Sequence, residues 1–122
     1  MTIAIFMNLA GVSSEQYEAV MEALDLDQNP PQGVLLHVAS FTGDGLRVVD
    51  VWESSDEFDR FNASRLAAAV KHASIDSEPV VEVLAVHNIF APGLDVLSEL
   101  GSTSMPESQE EAAEEATEAA AS

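Results

Sequence analysis

The chain predicts an α+β fold in which strands and helices follow the order βαββαβ. Three observations carry that expectation. Short apolar, β-rich runs stand at Ile3–Asn8, Gly33–Phe41, Leu46–Glu53 and Val80–Phe90. Two stretches of helical periodicity lie between them, each opened by a serine with Gln or Glu three residues on. A Gly-containing turn links the two middle runs with no room for a crossover.

The first strand is rich in Ile, Phe and Met and is broken by Gly11. Ser13-Ser14-Glu15-Gln16 then has the form of a capping box, in which the Ser13 hydroxyl takes the backbone N–H of Gln16 and Gln16 reaches back. Tyr17, Val20, Met21 and Leu24 recur at i, i+3, i+4 and i+7, so they line one face of a helix expected over Ser14–Leu26. Pro30 and Pro31 stop it: proline cannot continue a helix, and Pro31 forces Pro30 to be extended. After strand 2, Thr42-Gly43-Asp44-Gly45 is the turn, with Gly43 and Asp44 as its central residues. After strand 3, Ser54-Ser55-Asp56-Glu57 reads as a second capping box, with acids favourably placed in the first helical turn. Phe58, Phe61, Leu66, Ala69 and Val70 give the apolar face of a helix over Ser55–His72. Ala73–Pro79 is a loop before the Val-dense last strand.

Two βαβ halves with right-handed crossovers make a four-stranded antiparallel sheet with both helices on one side, the ferredoxin-like arrangement. Residues 1–92 form this domain. Residues 93–122 hold a short apolar stripe, Leu94, Leu97 and Leu100, and then a Glu/Ala low-complexity run. Like charges at i, i+4 (Glu110/Glu114, Glu111/Glu115, Glu114/Glu118) oppose a helix there, so the end of the chain is expected to be a disordered acidic tail.

Charge and composition exclude several function classes. The net charge is -18, from 22 acids against 4 Lys+Arg. Such a polyanion is repelled by nucleic acid and by anionic membrane surfaces, and neither is an expected partner. High acid with a single lysine suits a salty cytoplasm, and equally a genome that favours Arg, Ala and Glu. With no cysteine there is no disulfide, thiolate nucleophile or zinc–thiolate site. His37, His72 and His87 form no local metal-ligand spacing, so no metal is expected. The N-terminal apolar run is short and has no basic flank, and no run approaches the ~18–20 apolar residues of a membrane span. The expected compartment is the cytoplasm. No cofactor is implied, and a basic protein is the partner that the acidic tail would suit.

With Gly43-Asp44 at the centre of the turn, Phe41 pairs with Leu46, Ala39 with Val48, His37 with Asp50 and Leu35 with Trp52, all on one sheet face. Val34, Leu36, Val38 and Ser40 share the other face with Arg47, Val49, Val51 and Glu53. The second set has a wholly apolar middle and is expected under the helices. The first is also largely apolar, so both faces should be buried, as when two copies pack sheet to sheet in a homodimer.

His37 and Asp50 are then the sharpest candidate pair. A carboxylate beside an imidazole fixes its tautomer and raises its basicity, as a general base requires. A buried structural hydrogen bond in the dimer seam accounts for the same pairing. Trp52 stands one pair along as a wall for a planar ligand. Phe58 and Phe61 are core aromatics or a ligand wall, and His87 falls on the Val83/Ala85 face as a second pocket candidate or a core residue. His72 beside Lys71 fits the last turn of a helix, where cations complement the dipole.

The run VVDVWESSDEF, entered through Pro31 and Gly33 with His37 on the strand between, resembles the dimeric α+β barrel superfamily, near its antibiotic-biosynthesis-monooxygenase-like members. The resemblance spans about residues 1–91. It implies a homodimer with facing sheets and a pocket between sheet and helices for a small aromatic or hydrophobic ligand. Among the activities found there are cofactor-independent oxygenation of aromatic polyketides and haem degradation. The haem-degrading branch uses an Asn on strand 1 with a Trp and a His on helix 2. Asn8 matches the first, but Phe61 stands in place of the Trp and His72 is one position out. For a cofactor-free oxygenase the resemblance implies a base and a polar anchor, roles open to His37, Asp50, Asn8 and Trp52. The alternative is a non-catalytic dimeric binding module whose tail engages a protein partner.

Overall fold

The computed structural model describes residues 1–100. Strand β1 (Ile3–Ala10) leads to helix α1 (Ser14–Leu24), strands β2 (Val34–Thr42) and β3 (Gly45–Trp52), helix α2 (Ser55–Phe61), a π-helical turn (Asn62–Leu66), helix α3 (Ala67–His72) and strand β4 (Val80–Ala85). The sheet order is β2-β3-β1-β4, with every neighbouring pair antiparallel. This is the expected ferredoxin-like sheet, with α1 and the α2–α3 run packed together on one side of it. Residues 90–100 belong to a separate unit, in which the expected apolar stripe lies on helix α4 (Leu94–Leu100). The acidic run expected to be disordered lies outside the described residues.

Local chemistry explains the ends of these elements. Ser13 caps α1, accepting from the Gln16 backbone N–H at 3.2 Å, while the Gln16 side chain accepts from the Ser13 backbone N–H at 3.0 Å. The helix ends two residues before Leu26, because Asp25 takes the left-handed conformation (φ 49°, ψ 53°) and donates its N–H to the Met21 carbonyl. Ser54 caps α2 by accepting from the Glu57 N–H at 3.3 Å. In the β2–β3 turn the positive φ falls on Gly45 (+144°), not on Gly43 or Asp44. A side chain at Gly45 would collide with the Leu9 carbonyl, since β1 runs alongside at that point.

Strand β4 is shorter than its apolar run suggested. Ile3 pairs with Ala85, and the Val86 N–H reaches Thr2 at 3.0 Å. Residues 86–90 lie outside the ladder, which ends with the Ile3–Ala85 pair. The β2–β3 register is as expected from Thr42↔Gly45 back to His37↔Asp50. Beyond it, a bulge between Val34 and Leu36 sets Val34, not Leu35, opposite Trp52.

The assignment of sheet faces is the main correction. The face carrying His37, Ala39, Leu46, Val48, Asp50 and Trp52 lies under the helices, and the Leu36/Val38/Val49/Val51 face is open. The reason lies in β1. Its Ile3, Ile5 and Met7 stand in register with Trp52, Asp50 and Val48, so the largest apolar volume collects on the face that includes the polar pair. Trp52 is 1% exposed and packs edge-on to Phe58 at 5.4 Å and tilted to Phe61 at 5.4 Å. A second buried cluster, Val20, Met21, Leu24 and Ala69, joins α1 to α3.

Candidate functional site

Four polar side chains from three elements meet beneath α1. Asp50 on β3 is buried, with its side chain 8% exposed. Its Oδ1 lies 2.6 Å from His37 Nδ1 on β2, and its Oδ2 accepts from the Trp52 Nε1–H at 3.2 Å. His37 Nε2 lies 2.8 Å from the hydroxyl of Tyr17 on α1. The Tyr17 and His37 rings are nearly coplanar, 2° apart, with centroids 6.1 Å apart. That spacing, with the short O–N contact, is an in-plane hydrogen bond and not a face-to-face stack.

The proton positions follow from the partners. Burial, then the nearby charges of Glu18 and Asp50, push the Tyr17 phenol from 10.0 up to about 12. Tyr17 therefore keeps its proton at neutral pH and, where the His37 imidazole is neutral, donates it to Nε2. A neutral imidazole that accepts at Nε2 carries its hydrogen on Nδ1, which donates to Asp50. The chain Tyr17–His37–Asp50–Trp52 is thus directional, with the carboxylate accepting from both sides.

Sequence reasoning placed His37 beside Asp50 and Trp52 nearby, and the structure brings these three together. It also puts Phe58 and Phe61 against the buried Trp52 indole. It does not bring Asn8 or His87 to them. Asn8 lies on the open face of the sheet, where it accepts from Arg47 Nε at 2.8 Å. His87 is exposed and lies past the end of β4. The residue missed was Tyr17, which the periodicity counted as part of an apolar stripe. Its signal was available: it is the one member of the stripe with a hydroxyl, on a helix expected to cover the sheet.

The described residues contain no group of three or more His, Asp or Glu placed to hold a metal ion. No described helix is long and apolar enough to cross a membrane. A surface cleft of about 170 Å³ opens elsewhere, between Pro31–Gln32 and the Glu57–Arg65 face of the α2 run. Of the candidate ligand-binding and catalytic residues read from the sequence, only Phe61 lines it.

The fold is shared with several solved structures. A protein of unknown function from Nitrosomonas europaea, NE2512, superposes with a TM-score of 0.55 at 19% identity, over 75% of this chain and 95% of that one. A Caulobacter crescentus protein, provisionally assigned as an antibiotic biosynthesis monooxygenase, gives 0.55 at 21% identity, over 70% and 91%. SnoaB, a cofactor-independent oxygenase from Streptomyces nogalater, gives 0.51 at 15% identity, over 72% and 93%. No protein-family model matches the sequence, and no curated protein does. At these identities the likeness is one of fold.

Proposed function

We propose that this chain is a homodimeric, monooxygenase-like protein that binds a planar organic compound and takes a proton from it through Tyr17 and His37. The observation that carries the reading is the directional chain from the Tyr17 hydroxyl to Asp50. The fold shared with a cofactor-independent oxygenase supports the same class. Such chemistry asks the protein for little beyond deprotonation, because the substrate's own carbanion or phenolate passes an electron to oxygen.

His37 acts as base with Asp50 as its orienter, but its Nε2 lone pair is already engaged by Tyr17. Tyr17 therefore relays. An acidic C–H or hydroxyl of the substrate gives its proton to the Tyr17 oxygen as the Tyr17 proton passes to His37 Nε2. Tyr17 ends neutral, as its raised pKa requires, and the imidazolium is stabilised by Asp50. Trp52, Phe58 and Phe61 hold the carboxylate end in place from the core side. Asn8 and His87 serve a ligand only from outside this cluster.

Dimerisation is read from the open sheet face, where Phe6, Leu36, Val38 and Leu84 are 37–48% exposed and Val49 and Val51 lie between them. An apolar patch of that extent on a small domain marks an interface, and a second copy presents the same patch in a two-fold arrangement. The test is oxygen uptake by the full chain with an anthrone as probe. Turnover should fall by about 10²-fold or more in His37→Ala, the scale of a general base, and in Tyr17→Phe, which removes the relay. Unchanged turnover in both variants would clear the cluster of the role.

A second reading is a non-catalytic dimeric module. It is favoured by the near-complete burial of Trp52 and Asp50 and by the satisfaction of every polar group in the cluster, as in a structural brace. A folded dimer that binds no planar probe would decide for it. Its proposed protein partner for the acidic run falls on residues outside those described.

A further inference from the structure

The chain has four Lys+Arg residues among 22 acids, and two of the four, Arg60 and Arg65, line the same cleft. Glu57, Arg60, Phe61, Ser64 and Arg65 follow at helical spacing along one face of the α2 run, opposite Pro31 and Gln32. The π-helical turn Asn62–Leu66 falls within this face, a distortion that often accompanies function. Ser64 donates to the Arg60 carbonyl at 2.6 Å and holds the widened turn.

The two arginines of the cleft are held differently. Arg65 donates through Nη2 to the carbonyls of Leu24 at 2.8 Å and Asn29 at 2.7 Å, and its guanidinium lies 5.4 Å from the Phe61 ring centre. Those contacts anchor Arg65 without neutralising it. Arg60 makes one hydrogen bond among the described residues, from Nε to the Asp56 carbonyl at 3.4 Å, which leaves its terminal nitrogens for a ligand. Neither arginine is in a salt bridge among the described residues.

We propose that this cleft is a binding site for a small aromatic monocarboxylate. The Arg60 fork takes the carboxylate, Gln32 offers an amide to it, and the ring lies along Phe61. Glu57 narrows the choice. Its carboxylate is in the same wall, with one oxygen on the Ser54 hydroxyl at 3.3 Å and the other buried with no donor among the described residues. A second negative charge on the ligand would be repelled there, so a monoanion with an apolar body is preferred to phosphate. The site goes beyond the proton relay, meets it only through Phe61, which packs on Trp52, and stands or falls separately.

The probes are benzoate, its neutral isostere benzamide, and inorganic phosphate, titrated into the full chain at constant ionic strength. The Gln32 and Ser64 amides and the Arg60 Nε–H are followed by proton–nitrogen correlation spectroscopy. Benzoate should shift these resonances saturably, benzamide should not, and phosphate should bind more weakly. Arg60→Gln should weaken benzoate at least tenfold, Glu57→Gln should tighten it several-fold, and Lys71→Gln, at an exposed site on α3, should leave it unchanged. A benzamide response equal to that of benzoate would overturn the assignment. So would unaltered affinity in Arg60→Gln with a native-like spectrum, or no saturation across the millimolar range.

Discussion

The two faces of the sheet invert the usual association of polarity with exposure. The face under the helices holds a carboxylate and an imidazole and meets the Tyr17 phenol of α1, yet Asp50 and Trp52 there are almost fully buried. The other face is mainly Leu, Val and Phe across its middle and is open. Burial is tolerated on the first face because every donor has an acceptor: Tyr17 on His37, His37 and Trp52 on Asp50. The second face is exposed because both helices of the domain are already committed to the first. A satisfied polar group can be core, whereas an apolar surface without a cover asks for a partner.

The comparison breaks most sharply at Asp50. Asp50→Ala removes the acceptor for two buried donors at once. It should lower the unfolding free energy by about 3–5 kcal/mol, the scale of a broken buried pair, read from chemical denaturation. A loss below about 1 kcal/mol would mean that the cluster behaves like a surface contact. Val38→Asp on the open face tests the opposite expectation. It should cost at least about 2 kcal/mol of association free energy, measured by sedimentation, and change protomer folding little. A wild-type chain that is monomeric at micromolar concentration would remove the sheet-to-sheet dimer altogether.

The elements were legible because local rules set them. Ser13 and Ser54 cap helices where the capping pattern placed them, and Pro30–Pro31 separates α1 from β2. The register that brings His37 to Asp50 followed from one assumption about a turn, and it held. What was not legible depended on partners far away in sequence. The face choice was set by the alternation of Ile3, Ile5 and Met7 on a strand distant in sequence from β3. The bulge at Val34/Leu36 sits next to Gly33, whose φ is +94° and where a side chain would meet the Glu57 carboxylate. Only the tertiary contact with α2 makes glycine necessary there. Tyr17 was visible as a residue but not as a ligand of His37, because hydrophobic periodicity counts a phenol as apolar.

The smallest predicted effect is the most specific. Tyr17 is the only tyrosine in the chain, so the ultraviolet absorbance of tyrosinate reports this one group. In the folded protein its titration should centre at about 12, against 10.0 for a free phenol. The folded state thus holds a proton that the unfolded state releases between those values. The contribution to stability is complete below pH 10 and declines as pH rises towards 12. Tyr17→Phe should cost only about 1 kcal/mol at neutral pH, the worth of one hydrogen bond, and should flatten this part of the pH–stability curve. A midpoint near 10.0 in the folded chain would place the Tyr17 hydroxyl in solvent. It would then be detached from His37, and the relay and the inverted polarity of the buried face would both lose their outermost link.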